Sequence, residues 1–283
     1  MLDYRIHTFL KLCDTMNYHK TAEILHMSQP AVTQHIHFLE NKYEVKLFSY
    51  DGKKLKKTEE ALKLETYGRA AKYNEDIFKK EMKDNGLLKL HIGATKTIGE
   101  YVITDQIKNY LGKENHTLSL KIDNTENLLF LLEQNQINFA LIEGFFDKEK
   151  YNYRLYKKEK FVGVCSKQHP FANKDISLEE LFQEMLIVRE KGSGTREIFE
   201  QILRQKNYTL NRFSKSVEIS SFKVIKELVK TNNYISFAYE SVVKSDKNLA
   251  PFSIVNETYT REFNYVYLKD TKAINYISIF QDE

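Results

Sequence analysis

Gln29, Thr33, Gln34 and His37 fall at spacings that place them on one face of a helix, and each carries a side chain that both donates and accepts hydrogen bonds. A helix lying in the major groove of a duplex needs such groups to meet base edges and phosphates. Ser28 and Pro30 mark the start of that helix, because serine satisfies orphan amides and a proline in the first turn forfeits no helical hydrogen bond. Lys53, Lys54, Lys56 and Lys57 crowd into a short segment just downstream, and the first, second and third of these are candidate phosphate contacts beside the reading helix.

A second group of polar residues sits where strand-like runs pass into helix-like runs. Residues 87–94 lead into Thr95-Lys96-Thr97-Ile98, residues 117–123 into Asn124-Thr125, residues 186–189 into Gly192-Ser193-Gly194-Thr195, and residues 217–219 into Ser220-Ser221. Hydroxyls and backbone amides at strand ends suit a small anion or carboxylate held by neutral donors and helix dipoles. Thr95, Thr97, Ile98, Thr125, Ser193, Gly194, Thr195 and Ser220 are therefore the candidate ligand contacts, with Gly192 and Gly194 allowing close backbone approach. Taken singly each hydroxyl is equally a helix cap; together, at matching junctions, they read as a site.

The pattern of a catalyst is missing from the sequence. Gly192-Ser193-Gly194 does not fit the frame of a nucleophile elbow, and Gly93 to Gly99 lacks the lysine and hydroxyl that follow the second glycine of a phosphate-binding loop. His35 and His37 point about 200° apart on a helix, so they do not share a metal. The expectation is no enzyme, no metal and no cofactor beyond a small effector. Cys13 and Cys165 lie among apolar neighbours in separate regions, which suits buried, inert thiols in a reducing compartment.

The elements that position these groups can be read from periodicity. The chain has 283 residues, 42% hydrophobic and 13% aromatic, with a formal charge of +4, enough for two or three domains with real cores. Residues 3–15 form a first helix, His19 to Leu25 a second, and residues 29–43 a third whose Val32, Ile36, Leu39 and Tyr43 make its apolar side. Asp51-Gly52 turns a two-stranded wing. Thr58-Glu59-Glu60 starts a helix running to about Lys83, about 37 Å long at 1.5 Å per residue, with Ala61, Leu64, Tyr67, Ala71, Ile77 and Phe78 as its stripe. Asp84-Asn85-Gly86 ends it. From Leu87 onward strands alternate with helices, including a single helix from Ile98 to Leu111, in the manner of parallel βαβ units. A second set begins at Phe161, and residues 263–268 return to the first set. The absence of a long apolar run or leader places the chain in the cytoplasm with no membrane partner.

The run AEILHMSQPAVTQHIHFLE followed by VKLF resembles the DNA-binding signature of LysR-type transcriptional regulators, and NTENLLFLLEQNQINFALIEG and REKGSGTRE are similar to their sensor domain. The resemblance implies an α/β protein: a winged helix-turn-helix over 1–58, a dimerising linker helix over 59–86, and a two-lobed α/β effector-binding domain over 87–283, shaped like a periplasmic binding protein. Lobe I would be 87–160 plus 258–283 and lobe II 161–257. The REKGSGTR segment is particularly similar to regulators of sulfur assimilation and carbon fixation. Implied partners are promoter DNA, a second copy through the linker helix, a tetramer built as a dimer of dimers that acts mainly as an activator, a small effector, and RNA polymerase. Two departures bear on DNA reading: Tyr50 and His37 stand where family members often carry arginine, which shifts affinity toward lysine contacts with phosphate.

Overall fold

The computed structural model describes residues 2–52, 54–82 and 87–281. The chain opens with helices α1 (Tyr4–Thr15), α2 (Tyr18–Ile24) and α3 (Gln29–Tyr43), followed by a hairpin of β1 (Phe48–Asp51) and β2 (Lys54–Lys57). Each helix start has a side-chain cap: Asp3 accepts from the Arg5 amide, Asn17 from Lys20 and Ser28 from Ala31. Ile6, Phe9, Leu12, Ile36, Leu39, Leu47, Phe48 and Ala61 then close one small core. Burying an aromatic or aliphatic side chain of this kind contributes about 1.5–3 kcal/mol. Glu40, buried at the base of α3, accepts from the Leu47 amide at 2.9 Å and from Lys46 Nζ at 3.1 Å, which ties the hairpin to the helix.

Helix α4 (Glu59–Glu81) is 23 residues long, about 35 Å. Thr58 caps it by accepting from the Ala61 amide at 3.1 Å. Part of the expected stripe is covered within the chain and part is not. Ala61, Ala70, Tyr73 and Ile77 are covered, whereas Tyr67 is 62% and Phe78 56% exposed. The reason is competition between two faces: Gly68 and Ala61 let α1 approach one flank, Tyr73 and Ile77 join the large downstream core, and the line of Tyr67, Phe78 and Met82 is left outside. The expected helix end at Lys83 and the Asp84-Asn85-Gly86 stop lie outside the described residues.

Downstream come β3 (Leu88–Thr95), α5 (Lys96–Tyr101), α6 (Thr104–Leu111), β4 (His116–Asp123), α7 (Thr125–Glu133), β5 (Phe139–Ile142) and β6 (Tyr151–Ser166). They are followed by β7 (Asp175–Ile176), α8 (Leu178–Leu181), β8 (Met185–Val188), α9 (Gly194–Gln205), β9 (Lys215–Glu218), α10 (Phe222–Val229) and β10 (Ile235–Tyr239). The chain closes with α11 (Glu240–Lys244), β11 (Leu249–Ile254), β12 (Tyr259–Leu268) and α12 (Ala273–Gln281). The single helix expected from Ile98 to Leu111 is two: Val102 leaves helical dihedrals at φ −121°, which lets the fully buried Ile103 drop into the core.

The strands form one ten-stranded sheet in the order β4-β3-β5-β12-β6-β10-β8-β9, with β11 on β6 and β7 on β11. Neighbours β3 and β4, β3 and β5, β8 and β9, and β8 and β10 are parallel, as the βαβ reading expects. The centre is not. β6 and β12 run antiparallel from Tyr151↔Leu268 to Phe161↔Tyr259, and β11 and β10 also pair antiparallel with β6. The strand expected at 161–165 thus starts ten residues earlier, and the one expected at 263–268 starts at Tyr259. Alternating charged and apolar residues over 151–160 mask this strand, because its outer face is solvated. A register shift between Phe263 and Asn264 bends the pair where the two halves of the sheet meet.

Arg69 fastens the N-terminal helices to the sheet. Its side chain, 8% exposed, donates to Asp14 of α1 at 2.7 Å, to Glu65 of its own helix at 2.6 Å, and to the Glu133 carbonyl at the end of α7 at 2.8 Å. Gln134 donates to the same Asp14 oxygen at 3.0 Å, and Lys57 of the hairpin reaches Glu65 at 2.7 Å.

Candidate DNA-reading face and effector cleft

Gln29, Pro30, Thr33, Gln34 and His37 line one shallow concave surface on the outer side of α3. The periodicity that buries Val32, Ile36 and Leu39 turns these residues outward. Ser28, Gln29, Pro30, Gln34 and His37 are exposed and Thr33 is half-buried, its hydroxyl donating to the Gln29 carbonyl at 3.1 Å. His37 Nδ1 lies 3.2 Å from Glu40, which fixes the ring and leaves its other nitrogen facing out. Burial pushes the Glu40 carboxyl up, but the Leu47 amide, Lys46 and His37 outweigh it and hold it below the usual carboxylate range. The lysine cluster divides. Lys54 and Lys56 are exposed, with Lys56 paired to Asp51, and Lys57 turns inward to Glu65. Lys53 lies outside the described residues.

The strand ends that carry the second group converge because β3, β4 and β5 are neighbours and parallel. Thr95 and Thr97 are 5% and 0% exposed, so they are interior groups and not surface caps. Thr95 stands before α5 and Ser193 before α9, and neither hydroxyl caps its helix; the same holds for Ser221 before α10. At the third junction the capping role belongs to Asn124, which accepts from the Asn127 amide at 2.8 Å, and Thr125 is left beside Gly144. Gly144 and Gly194 meet face to face: a Cβ on Gly194 would lie 3.6 Å from the Gly144 Cα, and one on Gly144 would lie 3.2 Å from Thr125 Oγ1. That close approach draws Thr125 and the α9 start together across the sheet. Gly192, at φ +81°, makes the turn that precedes it. Thr195 is buried with Ser193, whereas Ile98 is packed wholly into the core and offers only its backbone. Ser220 is exposed at the end of β9; beyond it Phe222 meets Tyr101 of α5 at a ring separation of 6.1 Å.

The expectation of neutral donors alone does not hold, since four charged groups stand among the hydroxyls. Arg189, 4% exposed, chelates Glu190 at 2.8 and 3.0 Å and lies 4.3 Å over the Phe222 ring. Lys96 reaches the same Glu190 at 3.1 Å, so an ion pair closes the space between β3 and β8. Burial raises Glu190, yet Arg189 and Lys96 hold its carboxyl below the ordinary range. Glu143, at the end of β5, is buried and accepts from the Thr95 hydroxyl. Burial pushes its carboxyl up to about 7 against the pull of the nearby Thr97 hydroxyl and Arg189. The sequence signal for Glu143 was a lone acid closing an apolar strand, which no local spacing distinguishes from a surface residue.

Beside Glu143 lies a cavity of about 330 Å³, lined also by Phe145, Lys148, Arg261, Glu262 and Asn264. Both cysteines are buried and free; burial pushes the Cys165 thiol up to about 12 and Cys13 higher still. Among the described residues no group of three or more His, Cys, Asp or Glu is placed to hold a metal.

Residues 4–62 match the family model described as "Bacterial regulatory helix-turn-helix protein, lysR family", and residues 87–282 match "LysR substrate binding domain". The chain is 29% identical over 274 residues to the "HTH-type transcriptional regulator CysL" of Bacillus subtilis, covering 92% of this chain and 89% of that one. It is 25% identical over 248 residues to a "Probable RuBisCO transcriptional regulator" of Cyanidium caldarium, covering 85% and 78%. A full-length OxyR variant from Pseudomonas aeruginosa has the same fold, with a TM-score of 0.64 at 18% identity over 100% of this chain and 94% of that one.

Proposed function

We propose a mechanism for a chain that belongs to the LysR family and is accordingly a DNA-binding transcriptional regulator with an effector-binding domain, not an enzyme. The observation that carries the mechanism is the outward row of α3. Gln29, Thr33, Gln34 and His37 present mixed donors and acceptors on a helix whose other side is sealed, and the positive end of the α3 dipole, where Ser28 and Pro30 lie exposed, attracts a phosphate. Lys54 and Lys56 on the wing, with Lys53, supply backbone affinity. The division into a DNA-binding head (1–58), linker helix (59–86) and effector domain (87–283, with lobe I as 87–160 plus 258–283) is supported by the separate head core and by the bend between β6 and β12.

The effector is a small anionic metabolite held where Thr95, Thr97, Thr125, Ser193, Gly194, Thr195 and Ser220 approach one another, with the Ile98 backbone beside them. The Lys96–Glu190 pair and the Gly144–Gly194 contact support this reading, because they span the two halves of the sheet and would part or tighten with a ligand. An effector shifts the equilibrium between open and closed arrangements only by its differential affinity for them. The exposed line of Tyr67, Phe78 and Met82 on α4 supports a dimer across that helix, which would set the spacing of two reading heads on a dyad-symmetric promoter. Assembly to a tetramer, activation through contact with RNA polymerase, and a cytoplasmic site complete the proposal. Among the described residues no helix is long and apolar enough to cross a membrane.

A gel shift with the DNA upstream of its own gene tests the first half: specific retention that weakens steeply with salt is expected, and its absence overturns DNA reading by α3. Thr97→Ala tests the second, since it should abolish the effector-dependent change in footprint while DNA affinity stays nearly intact. A variant that responds fully would place the effector elsewhere.

A further inference from the structure

Glu143 sets a condition on whatever enters the cleft, and the inference rests on the reading of that cleft as the effector site. Its carboxyl is buried, and among the described residues no cation is in hydrogen-bond contact with it; the Thr95 hydroxyl donates to it and the Tyr239 hydroxyl donates to the Glu143 backbone carbonyl at 3.4 Å. Around it lie buried polar atoms whose bonding is incomplete. Thr97 Oγ1 is one, on a residue 0% exposed: it stands close enough to draw the Glu143 carboxyl down, yet makes no well-formed hydrogen bond. Asn264 Oδ1 and Arg261 Nε are the others, both on residues lining the cavity that Glu143 also lines. Asn264 is 4% exposed, so its amide oxygen has no recourse to bulk water. Leaving such groups unmatched is costly, and a ligand of the right pattern recovers that cost.

The pattern is mixed. Thr97 Oγ1 and Arg261 Nε are donors fit for an anionic oxygen, whereas Glu143 and Asn264 Oδ1 are acceptors. An anion without a hydrogen of its own would face the Glu143 carboxylate across a dry gap. It binds only if Glu143 first takes up a proton. We propose that this cleft selects an acid that carries its own hydrogen-bond donor, an α-hydroxy or α-amino carboxylate, over an anion of like size without one. The donor reaches Glu143 and the carboxylate reaches Arg261, both of which line the same cavity, with the Thr97 hydroxyl close to Glu143.

The groups facing Glu143 are Arg189 from the end of β8, Tyr239 from β10, Arg261 and Glu262 from β12, and Lys148 from the loop after β5. Burial holds the Tyr239 hydroxyl well above its ordinary range and raises the Glu143 carboxyl to about 7, so of these two it is Glu143 that changes state near neutrality. With its carboxyl near 7, the protonated fraction falls about tenfold from pH 6 to pH 8.

The test uses the full-length protein with propionate, lactate and alanine, which share a three-carbon skeleton and differ in the group at Cα, and with sulfate as an anion that has no proton. Calorimetric titration at pH 8 should give lactate or alanine an affinity at least tenfold above propionate and sulfate. At pH 6 propionate and sulfate should gain about tenfold, with uptake of a proton visible as a dependence on buffer ionisation heat. Glu143→Gln should remove both the preference and the pH dependence. Equal affinity for propionate and lactate at pH 8, or a preference that survives Glu143→Gln, overturns the inference. Should Glu143→Gln not fold, the wild-type pH comparison decides alone. Binding that Thr97→Val leaves untouched would instead show that the effector site lies elsewhere, and failure of all four probes to bind refutes both readings.

Discussion

Replacing Arg69 by alanine should cost the folded chain about 3 kcal/mol at pH 7. The magnitude follows from what the guanidinium leaves behind. Removing one partner of a buried ion pair costs about 3–5 kcal/mol when the other is stranded. Here neither carboxylate is fully stranded: Glu65 keeps Lys57 at 2.7 Å, and Asp14 keeps Gln134 at 3.0 Å and Lys11 at 3.7 Å. That places the carboxylate part toward the low end, about 2 kcal/mol, and the orphaned Glu133 carbonyl adds about 1 kcal/mol. Arg69→Lys should lose less, because an ammonium keeps the charge but does not span Glu65, Asp14 and the carbonyl at once. The pH dependence has a definite sign. Burial raises Glu65, yet Lys57 and Arg69 hold it below its ordinary 4.5, so the stability it confers is present above that value and is lost as pH falls through the lowered one. The cost of Arg69→Ala should shrink accordingly in acid. Urea unfolding followed by circular dichroism measures it, and calorimetry should show one transition in the wild type dividing into two as α1 and α7 lose their shared anchor. A cost below about 1 kcal/mol at pH 7, or one that is unchanged at pH 3.5, would refute the reasoning.

Three further outcomes are expected. Glu143→Gln should stabilise the chain increasingly with pH, by about 2 kcal/mol more at pH 8.5 than at pH 5.5, because a carboxyl raised to about 7 loses its favourable protonated form as pH rises through that value; parallel urea midpoints at the two pH values would contradict the burial argument. Gly163→Ala should cost about 1–3 kcal/mol or more, since its Cβ would lie 2.2 Å from the ring of the buried Phe252, and a loss under 0.5 kcal/mol would mean that β6 and β11 shift apart freely. Cys13 and Cys165 should resist a thiol reagent at pH 8 until guanidinium unfolds the chain, because burial suppresses both thiolates; rapid labelling of the native protein would contradict that burial.

The head was legible from its residues because everything that shapes it is local. A cap at Ser28, a proline in the first turn, and Val32, Ile36 and Leu39 on one side act within a single helix, and they locate the polar row without knowledge of any other element. Family resemblance extended that legibility to the two-part architecture. For α4, periodicity assigns residues to a stripe but does not say which neighbour covers each part of it; within the chain Ala61 and Ile77 of the expected stripe are covered and Tyr67 and Phe78 are not. The hydroxyls proposed for the cleft were singled out by the type of junction they occupy.

The charges of the cleft were not, and the reason is distance along the chain. Thr95 and Glu143 are 48 positions apart, Lys96 and Glu190 94, and each pair meets only because the sheet order sets β5 beside β3 and folds the β8 end over α5. Residue type and spacing thus determined a capped helix with an outward polar row, a hairpin, a long helix and an alternation of strands and helices, since short-range hydrogen bonding and helical or strand periodicity specify them. Only the tertiary structure decided that one glutamate would lose its water, that one arginine would join head to sensor, and that the two halves of the sheet would be joined by a long antiparallel pair. Desolvation depends on what packs around a group, and no run of neighbouring residues contains that information.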